Sequence, residues 1–223
     1  MEILESIQKE ILNRLRTLPE MESFYLTGGT ALSAFYLCHR KSNDLDFFTS
    51  TEELILPTSR KMEDALLEKG AKIERRRGFS SFVELMVQSA EGSTVIHIAQ
   101  DSPFRFEQPR DSQEFPGLKI DSLVDIASNK LLTLFGRATL RDFIDIYFLT
   151  KEKFSRVELM ENAKAKDPGF DKYWLGVAFA RIDEFPADSP EMLLLAKPCT
   201  IEELRRFFDG WRAEIAREIL RRP

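Results

Sequence analysis

Between Phe24 and Phe48 the chain changes its hydrophobic period three times, and this stretch constrains the fold more than any other. Phe24-Tyr25-Leu26 is a short apolar aromatic run of the kind that forms a buried strand. Gly28-Gly29 stops it, and Thr30 to Cys38 then alternates small and apolar residues as a buried helix does. Leu45-Asp46-Phe47-Phe48 reads as a second strand. Because successive strand side chains point to opposite faces, Asp44 and Asp46 project from one side and Leu45 and Phe47 from the other. Strand, glycine turn, helix and strand in this order require a sheet with helices packed on it, with two acids close to a glycine turn.

Each piece alone has a plain structural reading: a Gly-Gly pair is a turn, an Asp-x-Asp pair a solvated strand face, and Arg40 a surface ion pair. Their joint spacing carries the chemistry. Transfer of a nucleotide needs divalent cations with several oxygen ligands, which two aspartates at a spacing of two on a strand can cradle. A glycine pair opening a helix lets the backbone approach phosphates closely and offers them unpaired N–H donors. Thr30 can add its hydroxyl, and Arg40 and Lys41 bring cations to the acidic strand.

The remaining pattern is mixed and then helical. Ile3, Leu4, Ile7, Ile11, Leu12 and Leu15 form an amphipathic stripe that predicts a helix over about residues 2–17. Pro57 opens another helix over 58–69, closed by Gly70. Residues 71–77 and 80–88 flank Gly78 as a hairpin, and Val95-Ile96-His97-Ile98 adds a strand. Pro103, Pro109 and Pro116 predict a long ordered loop over 100–119. Helices follow from a cap at Asp121 to about Phe135, from a cap at Thr139 to about Leu149, from Pro168 to Arg181, and from the Thr200/Glu203 capping box to about Leu220. The expected class is α+β, with a motif-bearing lobe over 1–120 and a helical lobe over 121–223 that completes the cleft; the softest boundary within the chain lies near Thr150.

Composition limits the partners. A formal net charge of −5 excludes coating of nucleic acid by bulk positive charge, so a polyanionic substrate must meet a local patch. The run Arg75-Arg76-Arg77 with Lys72 is the dense basic cluster of the first lobe, and reads either as an RNA-tracking edge or as a solvated hairpin. Phe79 and Phe82 beside it read either as base-stacking residues or, from their alternation with Val83 and Leu85, as core, the expected assignment; Phe143, Tyr147 and Phe148 further on have the helical spacing of core residues. Cys38 and Cys199 lack metal-ligand spacing and are expected to be reduced thiols. The opening residues mix acids with bases, unlike a signal peptide, and no apolar run approaches the roughly 18 to 20 residues of a membrane span. A soluble cytoplasmic protein is expected.

The stretch Leu26–Phe48 closely resembles the signature of the AbiEii/AbiGii toxin family of nucleotidyltransferases, in the DNA polymerase beta superfamily. Gly28-Gly29-Thr30 is followed by a helix and by His39-Arg40-Lys41-Ser42-Asn43-Asp44-Leu45-Asp46-Phe47, residue for residue the family pattern. Downstream, Lys130-Leu131-Leu132 resembles the family's lysine-bearing helix, and Arg141-Asp142-Phe143-Ile144-Asp145 its Arg-Asp-x-x-Asp helix. The likeness covers about residues 20–150. It implies a polymerase-beta-like palm that binds a nucleoside triphosphate through Gly28, Gly29, Thr30, Arg40, Ser42 and Lys130. Metal would sit on Asp44 and Asp46: Mg2+, two ions with the triphosphate bound, with Mn2+ able to stand in. Asp142 or Asp145 would complete the catalytic set with Asp44, Asp46 and Lys130; the residues alone leave that choice open.

One departure stands out. Where many relatives of this fold place a third carboxylate on a neighbouring strand, this chain has His97, and Glu84 is an alternative third acid. The expected function is Mg2+-dependent transfer of a nucleoside monophosphate to an acceptor hydroxyl, on RNA or tRNA, by the toxin of a toxin–antitoxin or phage-defence pair with a cognate antitoxin protein. Two alternatives stay open: a small-molecule or protein acceptor, and a nucleotide-binding module without catalysis.

Overall fold

A computed structural model describes residues 2–221, which divide into two compact units, one ending at Leu123 and the other beginning at Val124. The first contains α1 (Ser6–Leu15), β1 (Tyr25–Thr27), α2 (Gly28–Leu32), β2 (Asp44–Thr49), α3 (Ile55–Leu67), β3 (Lys72–Gly78), β4 (Phe82–Ser89), β5 (Gly92–Gln100), β6 (Arg110–Asp111) and β7 (Lys119–Ile120). Among the described residues these strands form one sheet in the order β3-β4-β5-β2-β1-β7-β6, with β2–β5 and β1–β7 parallel and the other neighbours antiparallel.

The sheet is two-faced because its strands alternate. Leu45 and Phe47 of β2, Val83, Leu85 and Val87 of β4, and Ile96 and Ile98 of β5 are buried, and the ladder sets them side by side (Leu45↔Ile96↔Leu85, Phe47↔Ile98↔Val83). They meet the apolar stripes of α1 (Ile7, Ile11, Leu12, Leu15) and α3 (Ile55, Met62, Ala65, Leu66). Each such side chain contributes about 1.5–3 kcal/mol on burial. A one-residue slip would turn every one of them to the other side, so the register of Asp44 and Asp46 is fixed by their apolar neighbours. The opposite face carries Asp44, Asp46, Phe48, Val95, His97, Phe82, Glu84 and Met86, all half-exposed.

Three differences from the sequence reading have local causes. The helix after the glycines does not run regularly to Cys38: from Ser33 to Leu37 it widens into a π-turn, closed by Cys38 N–H to Ser33 O at 2.8 Å, with Cys38 left-handed at φ 50°. The 100–119 segment is not all loop, since β6 and β7 join the sheet beyond β1. The basic run is split by a bulge between Arg75 and Arg77. Arg75 crosses to α3, where it donates to Glu63 at 2.7 and 3.1 Å and to Ser59 at 3.0 Å, while Arg77 stays near Glu84 at 3.6 Å and Arg76 near Glu74 at 3.7 Å. Each arginine of the run has an acid beside it, so this strand is a charged, bulged edge of the kind that blocks edge-to-edge pairing, not a uniform positive surface.

The second unit is helical: α4 (Leu123–Arg137), α5 (Leu140–Glu152), α6 (Arg156–Lys166), α7 (Lys172–Ala180) and α8 (Ile201–Leu220). The expected caps at Thr139 and Thr200 are both present as capping boxes. Helix α6 was not expected, because its buried side is only Leu159, Met160 and Ala163 within a polar sequence. The helix expected from Pro168 begins later, capped by Asp171, whose side chain accepts from the Tyr173 and Trp174 N–H groups. Phe143, Phe179, Phe208 and Trp211 pack together at centroid separations of 4.8 to 6.3 Å, so Phe143 is core as its spacing predicted, whereas Phe79, expected in the core of the first unit, is 63 % exposed between β3 and β4.

Candidate active site

The two glycines act in different ways. Gly28 leaves β1 with φ +71°, a left-handed conformation that an L side chain adopts only at a cost. A Cβ there would lie 2.0 Å from Asp46 Oδ2 and 2.8 Å from its Cγ, so the missing side chain is the space in which the Asp46 carboxylate sits. Gly29 has ordinary φ, but a Cβ on it would come within 2.8 Å of both Arg40 Nη2 and Ser42 Oγ. The backbone of the turn is thus pressed between Asp46 on one side and Arg40 with Ser42 on the other.

The His39–Asp46 segment folds back onto this turn. Arg40 is only 2 % exposed, and its Nη1 donates to Lys41 O at 2.9 Å. Ser42 is 7 % exposed, and its carbonyl accepts from Gln8 Nε2 at 2.8 Å. Thr30, buried at the second turn position after Gly28, donates its hydroxyl to Asp44 O. Arg40, Ser42 and Thr30 therefore lie behind the turn and fix its shape, whereas Asp44 and Asp46 are half-exposed on the open face of β2. The surface ion pair considered for Arg40 is excluded by its burial.

A polar row crosses the sheet through Asp46. The register pairs Thr27 of β1 with Asp46, Asp46 with His97 of β5, His97 with Glu84 of β4, and Glu84 with Arg77 of β3. His97 Nδ1 lies 2.9 Å from Asp46 Oδ1, and its ring rests on Phe82 at a centroid distance of 5.7 Å. The hydrogen bond to Asp46 raises the His97 pKa above its ordinary value; burial opposes this, and the charges of Asp46, Asp44 and Glu84 add to the rise.

At the other end of the row is a network the sequence did not reveal. Thr27 Oγ1 donates to Asp121 Oδ2 at 2.6 Å, and Arg105 bonds Asp121 and Asp101, the latter at 3.0 Å. Asp101 also accepts from the Tyr25 hydroxyl, and the Arg105 guanidinium stacks 4.2 Å from the Tyr25 ring centroid. Burial, and then Asp101, push the Tyr25 phenol far above its usual pKa. Asp121 was expected only as a helix cap, and Arg105 lay in a proline-broken loop with no period to place it.

In the second unit, Lys130 of α4 meets Asp145 of α5 at 2.7 Å, with side-chain exposures of 11 % and 0 %. Asp142 is engaged differently. It accepts from Thr139 N–H at 3.2 Å and Thr139 Oγ1 at 2.6 Å as the capping-box partner of α5, and from Arg137 at 3.0 and 3.2 Å. The two aspartates that the sequence left undecided are thus separated by geometry: Asp145 holds Lys130, and Asp142 holds the helix start. A second buried pair, Lys166 with Asp125 at 2.8 Å, had no sequence signal.

The sequence profile described as nucleotidyl transferase AbiEii toxin, type IV TA system, matches residues 10–218. The chain belongs to this AbiEii toxin family. It is a nucleotidyltransferase, and the α+β fold expected from the resemblance is the one observed. A protein of Aquifex aeolicus, aq_aa25, is 31% identical over 157 residues, covering 67% of this chain and 68% of its own length. Among solved structures, JHP933 from Helicobacter pylori is similar with a TM-score of 0.57 and 19% identity, covering 94% of this chain and 89% of that one. MenT4, the nucleotidyltransferase toxin Rv2826c of Mycobacterium tuberculosis H37Rv, gives a TM-score of 0.51 at 16% identity, covering 94% and 85%. At these identities the solved structures speak for the fold. Among the described residues no helix is long and apolar enough to cross a membrane.

Proposed function

We propose that this AbiEii-family protein transfers a nucleoside monophosphate from a nucleoside triphosphate to an acceptor hydroxyl on RNA, with tRNA as the expected class, in a Mg2+-dependent reaction in the cytoplasm. The observation that carries this reading is the fit of Gly28 against Asp46, where a bare backbone and a carboxylate share a space that no side chain at position 28 would leave. It sets the backbone of the glycine turn directly against a carboxylate on the open face of the sheet, which supports phosphate and cation binding side by side.

The residues suit Mg2+. Mg2+ keeps several waters and is commonly held by one or two carboxylates together with substrate phosphates. Asp44 and Asp46 supply two hard oxygen donors from one strand face. When bound, the cations would neutralise the triphosphate and activate the acceptor hydroxyl. In this reading the Gly28-Gly29-Thr30 backbone orients the phosphates and Arg40 and Ser42 hold that backbone from behind; within the second unit, Asp145 positions Lys130. The antitoxin would be encoded as a separate protein.

The test is incubation with each α-labelled nucleoside triphosphate, Mg2+ and total bacterial RNA, beside the D44A/D46A variant. Label in RNA with the unmodified protein alone is the expected result. Metal-dependent triphosphate binding with no label in RNA would overturn the RNA acceptor. It would favour a small-molecule or protein acceptor, or the non-catalytic reading that His97 in place of a third acid keeps open.

A further inference from the structure

We infer that His97 is a positioning residue for Asp46: its Nδ1–H holds Oδ1 of that carboxylate and leaves Oδ2, beside Gly28, to meet Mg2+. This rests on the nucleotidyltransferase site proposed above, and gives a role there to the residue that stands in place of a third acid.

The terminal torsion of an aspartate is broad, so a carboxylate on an open sheet face has no strongly preferred plane of its own. Here two contacts set the plane. Oδ2 occupies the space that a Cβ on Gly28 would fill, 2.0 Å from it. Oδ1 lies 2.9 Å from His97 Nδ1. An ionised carboxylate accepts and does not donate, so Nδ1 carries the proton in this contact. The ring that donates is itself held: His97 is in register with Asp46 on the parallel neighbour strand, and its ring rests on Phe82 with centroids 5.7 Å apart.

The chemistry of the donor explains why an imidazole suits this position. A carboxylate at position 97 would face Asp46 with like charge whenever no cation was bound. An N–H donor instead orients Asp46 in advance, and leaves the donors to the cation all oxygen, as Mg2+ requires. Glu84 is in register with His97, one strand further from Asp46, and has Arg77 beside it at 3.6 Å, so it does not share this role.

The first test needs neither a variant nor turnover. Full-length protein is labelled with 15N-histidine, and the ring nitrogens are assigned by long-range 1H–15N correlation, first without cation and then with Mg2+ and an α,β-methylene nucleoside triphosphate. The chain contains two histidines, His97 and the fully buried His39, and comparison with H97N assigns the signals. The expected result is a protonated Nδ1 on His97 in both states, with its resonance moved by the addition. An unprotonated Nδ1 in either state overturns the inference and leaves the nucleotidyltransferase site standing. No response of the first unit to Mg2+ and the analogue together overturns that site as well. The second test follows transfer against Mg2+ concentration in H97N, H97Q and H97L. Asparagine returns an N–H donor to the place of Nδ1, glutamine sets one in the place of Nε2, and leucine keeps bulk with neither. H97L and H97Q should raise the Mg2+ needed for half-maximal transfer by about 10- to 100-fold and H97N by less than about 3-fold, all at an unchanged triphosphate KM in saturating Mg2+. H97L with the unmodified protein's Mg2+ requirement, H97N as impaired as H97L, or recovery in H97Q but not H97N would each overturn the inference.

Discussion

Replacing Gly28 by alanine tests the central contact of the site with the smallest available change. Two costs follow from the structure. The first is conformational: φ +71° lies in the left-handed region, where a non-glycine residue costs roughly 1–2 kcal/mol. The second is steric: a Cβ would lie 2.0 Å from Asp46 Oδ2, whereas real Cβ atoms essentially never approach within 3.0 Å, so the carboxylate must withdraw by about 1 Å. Turning Asp46 off its rotamer costs about 0.5–1.5 kcal/mol. Giving up its bond to His97 adds an amount that water reduces, because Asp46 is half-exposed. The total is roughly 2–4 kcal/mol, and a displacement of about 1 Å in a positioned group is expected to lower transfer by about 100-fold.

The two costs separate in a double-mutant cycle. In an Asp46→Ala background the clashing oxygen and Cγ are gone and only the Asp46 Cβ remains, at 3.2 Å, a contact that small shifts relieve. Gly28→Ala should then cost only its conformational part, leaving a coupling of about 1–2 kcal/mol. Stability is read by urea titration with hydrogen exchange at β1 and β2 amides, because both tryptophans, Trp174 and Trp211, belong to the second unit and would not report the first. Gly210→Ala is the control. It is exposed in α8 with nothing within 4 Å of an added Cβ, and should gain about 0.8–1 kcal/mol. A coupling of zero, or unchanged transfer in Gly28→Ala, would refute the argument that Gly28 is glycine to make room for the Asp46 carboxylate.

Other outcomes follow from the second unit and the thiols. Lys130→Met removes the lysine paired with buried Asp145 and should lower the thermal stability of the protein, whereas Lys130→Met/Asp145→Leu should recover it by calorimetry; a double variant no more stable than Lys130→Met would refute the pairing. Asp142→Asn removes the charged acceptor of the α5 capping box and should cost about 1–3 kcal/mol in thermal unfolding, with transfer at permissive temperature nearly unchanged, because its oxygens are committed to Thr139 and Arg137. Cys199 has its thiol pKa pushed up to about 12, by burial first and then by Glu203, so its thiolate fraction at pH 8 is about one part in ten thousand. Iodoacetamide at pH 8 should accordingly label the exposed Cys38 and spare Cys199, as peptide mass mapping would show.

What the sequence made legible is what repeats or what lacks atoms. The alternation of Asp44-Leu45-Asp46-Phe47 gave the strand and its two faces because a period of two needs only a few residues to show itself. The cap at Thr139 and the capping box at Thr200 were readable because each depends on residues close in sequence. By contrast, β6 and β7 are two residues each, too short for any period, and exist only because the ladder beyond β1 is open to them. The π-turn at Ser33–Leu37 changes which residues face inward without changing composition, and α6 buries too little to outweigh its charges.

Charged residues were the hardest to place, since sequence reasoning puts charge on the surface by default while burial depends on a partner distant in the chain. Arg40 is buried because Gly29 lacks a Cβ that would strike its guanidinium. Arg105, Asp121, Lys166 and Asp125 are placed by partners 16 to 94 residues away. Asp142 and Asp145, three apart on one helix, differ in role only because Thr139 lies three residues before the first and Lys130 projects from the preceding helix toward the second. The same dependence explains why His97 could be singled out as a departure but not interpreted: its position opposite Asp46 is set by the parallel pairing of β2 with β5, a register that no local pattern encodes.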